Sequence, residues 1–261
     1  MNLLVIGDIV GKGGRRAVRE LVPDLRQERQ CRFVIANAEN AAGGAGLTAA
    51  CVKELLGPVD VITTGDHVWD QRDFVQEIRQ FEQVLRPANA SEQQPGRGWG
   101  VFRNPAGGEV AVINLQGRVF MKETASCPFA TVEKVLAELP AKVKTIIVDI
   151  HAEATSEKAA MARFLDGRVT VVVGTHTHVQ TADARVLPKG TAFISDVGMV
   201  GSDNSVLGRS CEAVVAKFTT GMPTRLPVEE KDVRLCGAII DYDPATGRAK
   251  GIEAISLPAG F

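Results

Sequence analysis

Only four histidines occur in this chain of 261 residues, and each falls within a few residues of the end of a predicted strand: His67, His151, His176 and His178. Asp8, Glu39 and Asp66 follow directly on strands of the same kind. Loops at the carboxyl ends of strands are where open α/β sheets build their sites. One histidine in such a place would be an ordinary surface or core residue, whereas all four together point to a shared task. If the strands are neighbours, the three carboxylates converge on one crevice, where they would repel one another and take up protons more readily. Divalent cations remove that difficulty. His176 and His178 are separated by one residue, and an extended segment with its period of two would aim both imidazoles to the same side, toward two neighbouring ions or one.

Carboxylate and imidazole without thiolate suit manganese, iron, zinc, nickel or cobalt, and this donor mixture does not choose among them. Two ions roughly 3.5–4 Å apart can share a bridging carboxylate and a bridging hydroxide, the arrangement used for in-line displacement at phosphorus. The chemistry expected is therefore metal-assisted hydrolysis of phosphate esters. Other phosphate-binding patterns fail on spacing. Gly7 to Gly13 resembles a Walker A loop, but it is one residue short and has Gly13 where Ser or Thr would hold magnesium. Gly43, Gly44 and Gly46 do not complete Gly-x-Gly-x-x-Gly, because position 49 is Ala49. Both stretches read as glycine-rich turns beside the site. There is no serine nucleophile elbow, and no cysteine lies near a histidine in sequence.

The elements that would position these groups follow an α/β pattern, in which short β-branched runs end at polar or glycine residues and amphipathic segments follow. Leu3 to Ile6, Phe33 to Ala38, Val59 to Thr64, Val110 to Leu115, Thr145 to Ile150 and Val169 to Val173 read as strands. Val18, Leu21, Val22 and Leu25 mark one helix face, and Phe129, Val132, Leu136 and Leu139 another. Beyond residue 185 the strands Ala192 to Ser195, Ala238 to Tyr242 and Ile252 to Leu257 come without intervening helices, apart from one around Glu212 to Phe218. An eight-fold β/α barrel needs a helix after every strand, so two mixed sheets packed face to face with helices outside fit better. No repeat or linker divides the chain, which reads as a single domain over 1–261.

Lys+Arg 30 against Asp+Glu 31 leaves a net charge of -1, so no global field draws in nucleic acid or an anionic membrane. The opening apolar run is too short for a signal peptide, and no stretch approaches the roughly 18 apolar residues of a membrane span. Five scattered cysteines without a Cys-x-x-Cys pair read as reduced, mostly buried thiols of a cytoplasmic protein.

Gly7-Asp8, Asn37-Ala-Glu39-Asn40, Gly65-Asp66-His67, Asp149-Ile-His151 and Gly174-Thr-His176-Thr-His178 run in the order seen in the calcineurin-like metallophosphoesterases. The closer resemblance is to their bacterial YmdB-like branch, which hydrolyses phosphodiesters, including 2′,3′-cyclic nucleotides. It extends through Asp149 to Lys158 and Ile194 to Met199. It implies a four-layered α/β/β/α sandwich and two metal ions per chain, iron first, with manganese or zinc as alternatives. Asp8 and His178 would bind the first ion, with Asn40 as a ligand or a neighbour of one. Glu39 would bridge the ions, Asp66, His151 and His176 would complete the second, and His67 would protonate the leaving group.

Two positions depart from the pattern. Val10 stands where the wider superfamily carries a histidine, which removes a ligand from the first ion. Asp66 stands where an asparagine is expected. With Asp8, Glu39 and Asp66 contributing -3 against +4 from two divalent ions, a bridging hydroxide would make the core neutral. Arg118 is a candidate for holding the phosphate, with an exposed ion pair as the competing reading, and Trp69 is either a pocket wall or, more simply, a core residue. The expected partner is a small phosphodiester or nucleotide, with no membrane, no large nucleic-acid surface and self-association left open. A phosphomonoesterase, or a regulatory nucleotide- and metal-binding protein with little turnover, are the alternatives.

Overall fold

A computed structural model describes residues 1–122 and 124–261. The chain opens with strand β1 (Asn2–Ile6), breaks at Gly7, and continues through β2 (Asp8–Ile9), helix α1 (Gly11–Glu28) and β3 (Cys31–Asn37). Helix α2 (Ala49–Leu55), β4 (Val61–Thr63), α3 (Phe74–Glu77) and β5 (Val84–Leu85) follow. A second run comprises β6 (Trp99–Arg103), β7 (Glu109–Gln116), α4 (Pro128–Glu138), β8 (Thr145–His151), α5 (Thr155–Leu165), β9 (Val171–Thr175), β10 (Arg185–Val186) and β11 (Ala192–Ile194). The chain then returns through β12 (Met199–Ser202), α6 (Cys211–Thr220), β13 (Val233–Tyr242) and β14 (Ala249–Pro258).

These strands form two mixed sheets. The first runs in the order β2, β12, β13, β1, β3, β4, β5, with β14 paired to β13. The second runs β10, β11, β9, β8, β7, β6. In the first sheet β1, β3, β4 and β5 are parallel, and in the second β7, β8, β9 and β11 are parallel. All the predicted site residues lie at or just beyond the carboxyl ends of these parallel strands.

The pleat of the strands explains the layers, because successive side chains point to opposite faces. In β1, Leu3 and Val5 pack between the sheets with Phe33, Ile35, Ile147, Val171 and Val173. Their neighbours Leu4 and Ile6 face outward onto Val18, Val22 and Leu25 of α1 and Val52 and Leu55 of α2. On the other side Ile146, Val148, Ile150 and Val172 meet Val132 and Val135 of α4 and Met161, Ala162 and Leu165 of α5. Three apolar seams therefore separate four layers, the α/β/β/α sandwich that the resemblance implies. At roughly 25 cal/mol per Å² of apolar surface removed from water, seams of this kind are the main stabilising term of such a fold.

Several elements differ from the sequence reading. Helix α5 was not anticipated, because its buried positions Lys158, Met161, Ala162 and Leu165 follow the helical period but start with a lysine. The strand expected over Val169 to Val173 runs instead to Thr175. Asp8 does not simply trail a strand: it opens β2, which pairs in parallel with Met199 and Val200 of β12. All five cysteines are free; Cys31 and Cys51 are buried, but Cys211 is exposed, contrary to expectation. Among the described residues no helix is long and apolar enough to cross a membrane.

Candidate metal centre

The edge of the first sheet supplies acids. Glu39 follows β3, Asp66 follows β4, and Asp8 lies past the break after β1. Gly65 precedes Asp66 because nothing larger fits: a Cβ there would meet Glu39 Oε2 at 2.3 Å and His151 Nε2 at 2.3 Å. The edge of the second sheet supplies imidazoles, with His151 ending β8 and His176 and His178 following β9.

Glu39, Asp66, His151 and His176 each offer one ligand atom, and these four atoms lie within 4.8 Å of one another. His151 Nε2 is 3.1 Å from Glu39 Oε1, 3.1 Å from Asp66 Oδ1 and 3.0 Å from His176 Nδ1. Asp8 is fully buried, and one of its oxygens, Oδ1, has no hydrogen-bond partner. Asp8 Oδ2 accepts from the backbone N–H of His176 at 3.1 Å. Asn40 Nδ2 donates to Glu39 Oε1 at 3.0 Å and lies 3.2 Å from His178 Nε2. Glu39 therefore lies between the His151 group and the Asn40–His178 group.

Buried hydrogen bonds fix which nitrogen of His151 faces the cluster. Its Nδ1 is 2.9 Å from Thr175 Oγ1, and that hydroxyl donates onward to Asp149 Oδ1 at 2.8 Å. With the Thr175 hydrogen committed, its oxygen is free to accept from Nδ1, the tautomer in which Nε2 of the neutral ring presents its lone pair, while the Asn37 amide nitrogen flanks Nδ1 at 3.3 Å. That lone pair then faces two carboxylates and a second imidazole. Among the described residues no lysine or arginine forms an ion pair with Asp8, Glu39 or Asp66. The donors to these acids are backbone N–H groups, the Asn40 amide and the imidazoles, with no cationic lysine or arginine, so buried negative charge and the orphaned Asp8 Oδ1 leave room for a cation to offset the cost.

With protons in place of metal, the same crowding moves the titrations. Burial pushes the Asp8 carboxyl well above the usual carboxylate range. Burial acts in the same sense on Glu39 and Asp66, but the charge and hydrogen bonds of His151 outweigh it and hold both below that range. Burial would lower His151, yet Glu39 and Asp66 raise it well above an ordinary histidine. Burial keeps His178 low. The donors present fit divalent or transition-metal ions with oxygen and nitrogen ligands.

The two histidines after β9 do not reach the site through an extended segment, as their spacing suggested. His176 and His178 have φ of 100° and 65°, both left-handed, which costs about 1–3 kcal/mol per residue. Thr177 between them is clamped: its N–H and its hydroxyl reach Asp196 Oδ2 at 3.1 and 2.8 Å. Lys158, 1% exposed, neutralises the same oxygen at 2.8 Å. The buried lysine that disguised α5 thus ties that helix to the histidine turn.

The cluster opens into a cleft of about 310 Å³ lined by Glu39, Asn40, His67, Glu153, His176, His178 and Arg209, among others. His67 stands at its wall, 40% exposed, with Nδ1 held by Asp70 Oδ2 at 2.8 Å and Nε2 4.0 Å from Asp66 Oδ2.

Comparison with known proteins adds four findings. The family described as "YmdB-like protein" matches residues 4–255. The chain belongs to the YmdB-like family. A 2′,3′-cyclic-nucleotide 2′-phosphodiesterase of Bacillus subtilis (strain 168) is 45% identical over 258 residues, covering 98% of this chain and 97% of that protein. The crystal structure of a novel phosphatase from Mycoplasma pneumoniae superposes with a TM-score of 0.91 at 32% identity, covering 99% of this chain and 93% of that one. The calcineurin-like phosphoesterase YfkN of Bacillus subtilis shares the fold, with a TM-score of 0.58 at 9% identity over 99% of this chain and 91% of that one. The family is one of phosphoesterases.

Within this YmdB-like site Glu39, Asp66, His151 and His176 converge, Asp8 adjoins them through the His176 N–H, Asn40 links Glu39 to His178, and His67 stands beside the cluster. Arg118 does not join them. It is exposed beyond β7, its backbone N–H donates to Glu157 at 3.0 Å, and it is not among the residues lining the cleft. Trp69 packs on the outer core of the first sheet and does not line the cleft, although it walls a separate pocket of about 140 Å³ that reaches Asp66. Asp149, Thr175, Lys158, Asp196, Asp70, Glu153 and Arg209 were not assigned roles from sequence. Asp149, Glu153, Lys158, Thr175 and Asp196 lie within the resembling motifs, whereas Asp70 and Arg209 carried no signal.

Proposed function

We propose that the chain hydrolyses small phosphodiesters, 2′,3′-cyclic nucleotides among them, at a pair of divalent or transition-metal ions, iron foremost and manganese or zinc otherwise. The observation that carries this reading is the convergence of Glu39, Asp66, His151 and His176 within 4.8 Å, with no lysine or arginine among the described residues paired to the acids. The phosphodiesterase relative that spans 98% of this chain supports the substrate class. Five free thiols suit a reducing compartment such as the cytoplasm.

Asp8, Asn40 and His178 would hold one ion and Asp66, His151 and His176 the other, with Glu39 serving both. Bound there, the ions would supply water activated at neutral pH and positive charge for the phosphoryl oxygens. Hydrolysis adds the oxygen of water to phosphorus, breaks a P–O ester bond and leaves a departing alkoxide in need of a proton. His67 would give it from Nε2, a reading supported by Asp70 holding the other ring nitrogen. A proton delivered this way contributes about 10²–10⁴-fold.

The test is elemental analysis of protein purified without added metal, alongside assays on 2′,3′-cyclic AMP, bis(p-nitrophenyl) phosphate and p-nitrophenyl phosphate. About two metal ions per chain with preference for the diesters is expected. Preference for the monoester would make the chain a phosphomonoesterase, and nucleotide binding without turnover would make it a regulatory protein.

A further inference from the structure

Arg209 is the one lysine or arginine among the described residues that line the cleft. It sits at the end of a tight turn in which Val206 and Arg209 exchange backbone hydrogen bonds of 2.9 and 3.0 Å. The same turn presents the carbonyl of Leu207 to His178 Nδ1 at 3.2 Å. The Arg209 guanidinium is half-buried and stretched between two backbone carbonyls, donating from Nη1 to Leu226 at 3.1 Å and from Nη2 to Gly44. Two of its five N–H groups are thereby engaged. No carboxylate of the described residues pairs with it, as none pairs with the buried Arg86, whose guanidinium is also held by carbonyls but does not line the cleft, whereas Arg15 and Arg26 each have one. Burial without a counter-charge draws its proton affinity down.

Gly44 is what lets it lie there. The glycine has φ +89°, and a Cβ on it would meet Arg209 Nη1 at 2.6 Å and Val228 at 2.5 Å. The glycine-rich turn after Asn40 therefore seats an arginine against the metal-binding loop. A guanidinium held by neutral carbonyls keeps its full charge and a fixed orientation, the condition under which arginine recognises phosphate oxygens in a planar, two-pronged fashion. Its missing counter-anion is then supplied by what enters the cleft.

We propose that Arg209 is the anion-binding residue of this cleft, taking the non-bridging oxygens of the phosphodiester while the acid and imidazole cluster acts on the same phosphorus. This rests on the phosphodiesterase reading above. It gives Arg209 the role first expected of Arg118.

Two variants of the metal-loaded protein test it. Arg209→Gln removes the charge, and Gly44→Ala leaves the arginine but fills its seat. Both should raise KM for bis(p-nitrophenyl) phosphate, and weaken binding of inorganic phosphate measured by titration calorimetry, by about 10- to 100-fold, the range for hydrogen bonds to a charged group. Arg209→Lys should recover part of the loss. Metal content and kcat should change much less than KM, whereas a scaffold role would lower melting temperature and metal content and leave phosphate affinity per loaded site intact. Unchanged KM and phosphate affinity in Arg209→Gln would overturn the proposal. If the wild-type chain turns over no ester, the phosphodiesterase reading fails by itself, and phosphate titration still decides the anion site: weaker binding in Arg209→Gln supports it and equal binding removes it.

Discussion

The two sheets bring different chemistry to their shared edge. The first delivers carboxylates, at Asp8, Glu39 and Asp66, and the second delivers imidazoles, at His151, His176 and His178. Their support differs as well. On the imidazole side buried polar groups set geometry, through Asp149 and Thr175 behind His151 and through Lys158 and Asp196 behind Thr177. On the acid side the strand ends set position, and few donors stand behind the oxygens. Asp8 has one with no partner at all. The difference teaches that the acid edge is built to be completed by charge, and the imidazole edge to hold direction. Neither edge forms a binding site alone, so occupancy should stabilise the seam between the sheets as much as either sheet.

The comparison breaks most visibly at Glu39, which lies between the two groups of ligands. Glu39→Gln should release metal and lower turnover by roughly 10³-fold or more, since metal charge contributes several kcal/mol to such a transition state. Elemental analysis and steady-state rates on one preparation check this. Full metal content with near-normal rates would remove Glu39 from the centre.

His67 belongs to the acid edge by position but should act as a proton donor and not as a metal ligand. His67→Ala is expected to keep its metal and to slow esters with poor leaving groups by about 10²-fold or more, while nitrophenyl esters, whose leaving group needs little protonation, slow far less. Equal slowing of both, or loss of metal, would make His67 a scaffold residue or a ligand.

On the imidazole edge the effects should be smaller and directional. Asp149→Asn leaves Thr175 without its ionic acceptor and frees the His151 ring to take the other tautomer. Metal affinity should fall about 10- to 100-fold, the usual loss for a partner standing behind a metal ligand. Lys158→Met strands Asp196 as a buried unpaired charge, and breaking a pair of that kind costs about 3–5 kcal/mol. Denaturant unfolding with and without metal separates the two variants. Lys158→Met should lose stability in both states, and Asp149→Asn mainly in the loaded one.

The sequence exposed the ligands and concealed their supports, for a physical reason. Metal ligands come from a few scarce residue types, and four histidines at three strand ends are conspicuous. Their supports are ordinary residues whose meaning depends on partners far along the chain. Thr175 matters because β9 lies beside β8, and Asp149 because Thr175 and Thr63 donate to it. Arg209 lies in a loop with no periodicity, and nothing local marks it as a neighbour of Gly44. The layers were legible because alternation within β1 and β8 divides inner from outer faces. Helix α5 was not, because its first inward position is a lysine whose counter-charge, Asp196, arrives 38 residues later. The left-handed turns at His176 and His178 were equally hidden, since the extended period of two predicts the same convergence by another path.

The smallest effect is expected at Asp66, where the resembling pattern has asparagine, and it sharpens the contrast most. Asp66 Oδ1 lies 3.1 Å from His151 Nε2 and 3.5 Å from His176 Nδ1, so an amide oxygen could keep the place while giving up the charge. If the acid edge works by total charge, Asp66→Asn should weaken one metal by about tenfold, near the low end of what a disturbed ligand set costs. Turnover at saturating metal should then stay within about the same factor. Titrating metal back into stripped protein, with rates measured at each occupancy, distinguishes loss of affinity from loss of chemistry. A collapse of turnover at full occupancy would mean that the carboxylate acts in the reaction itself, and that the acid edge carries direction as well as charge.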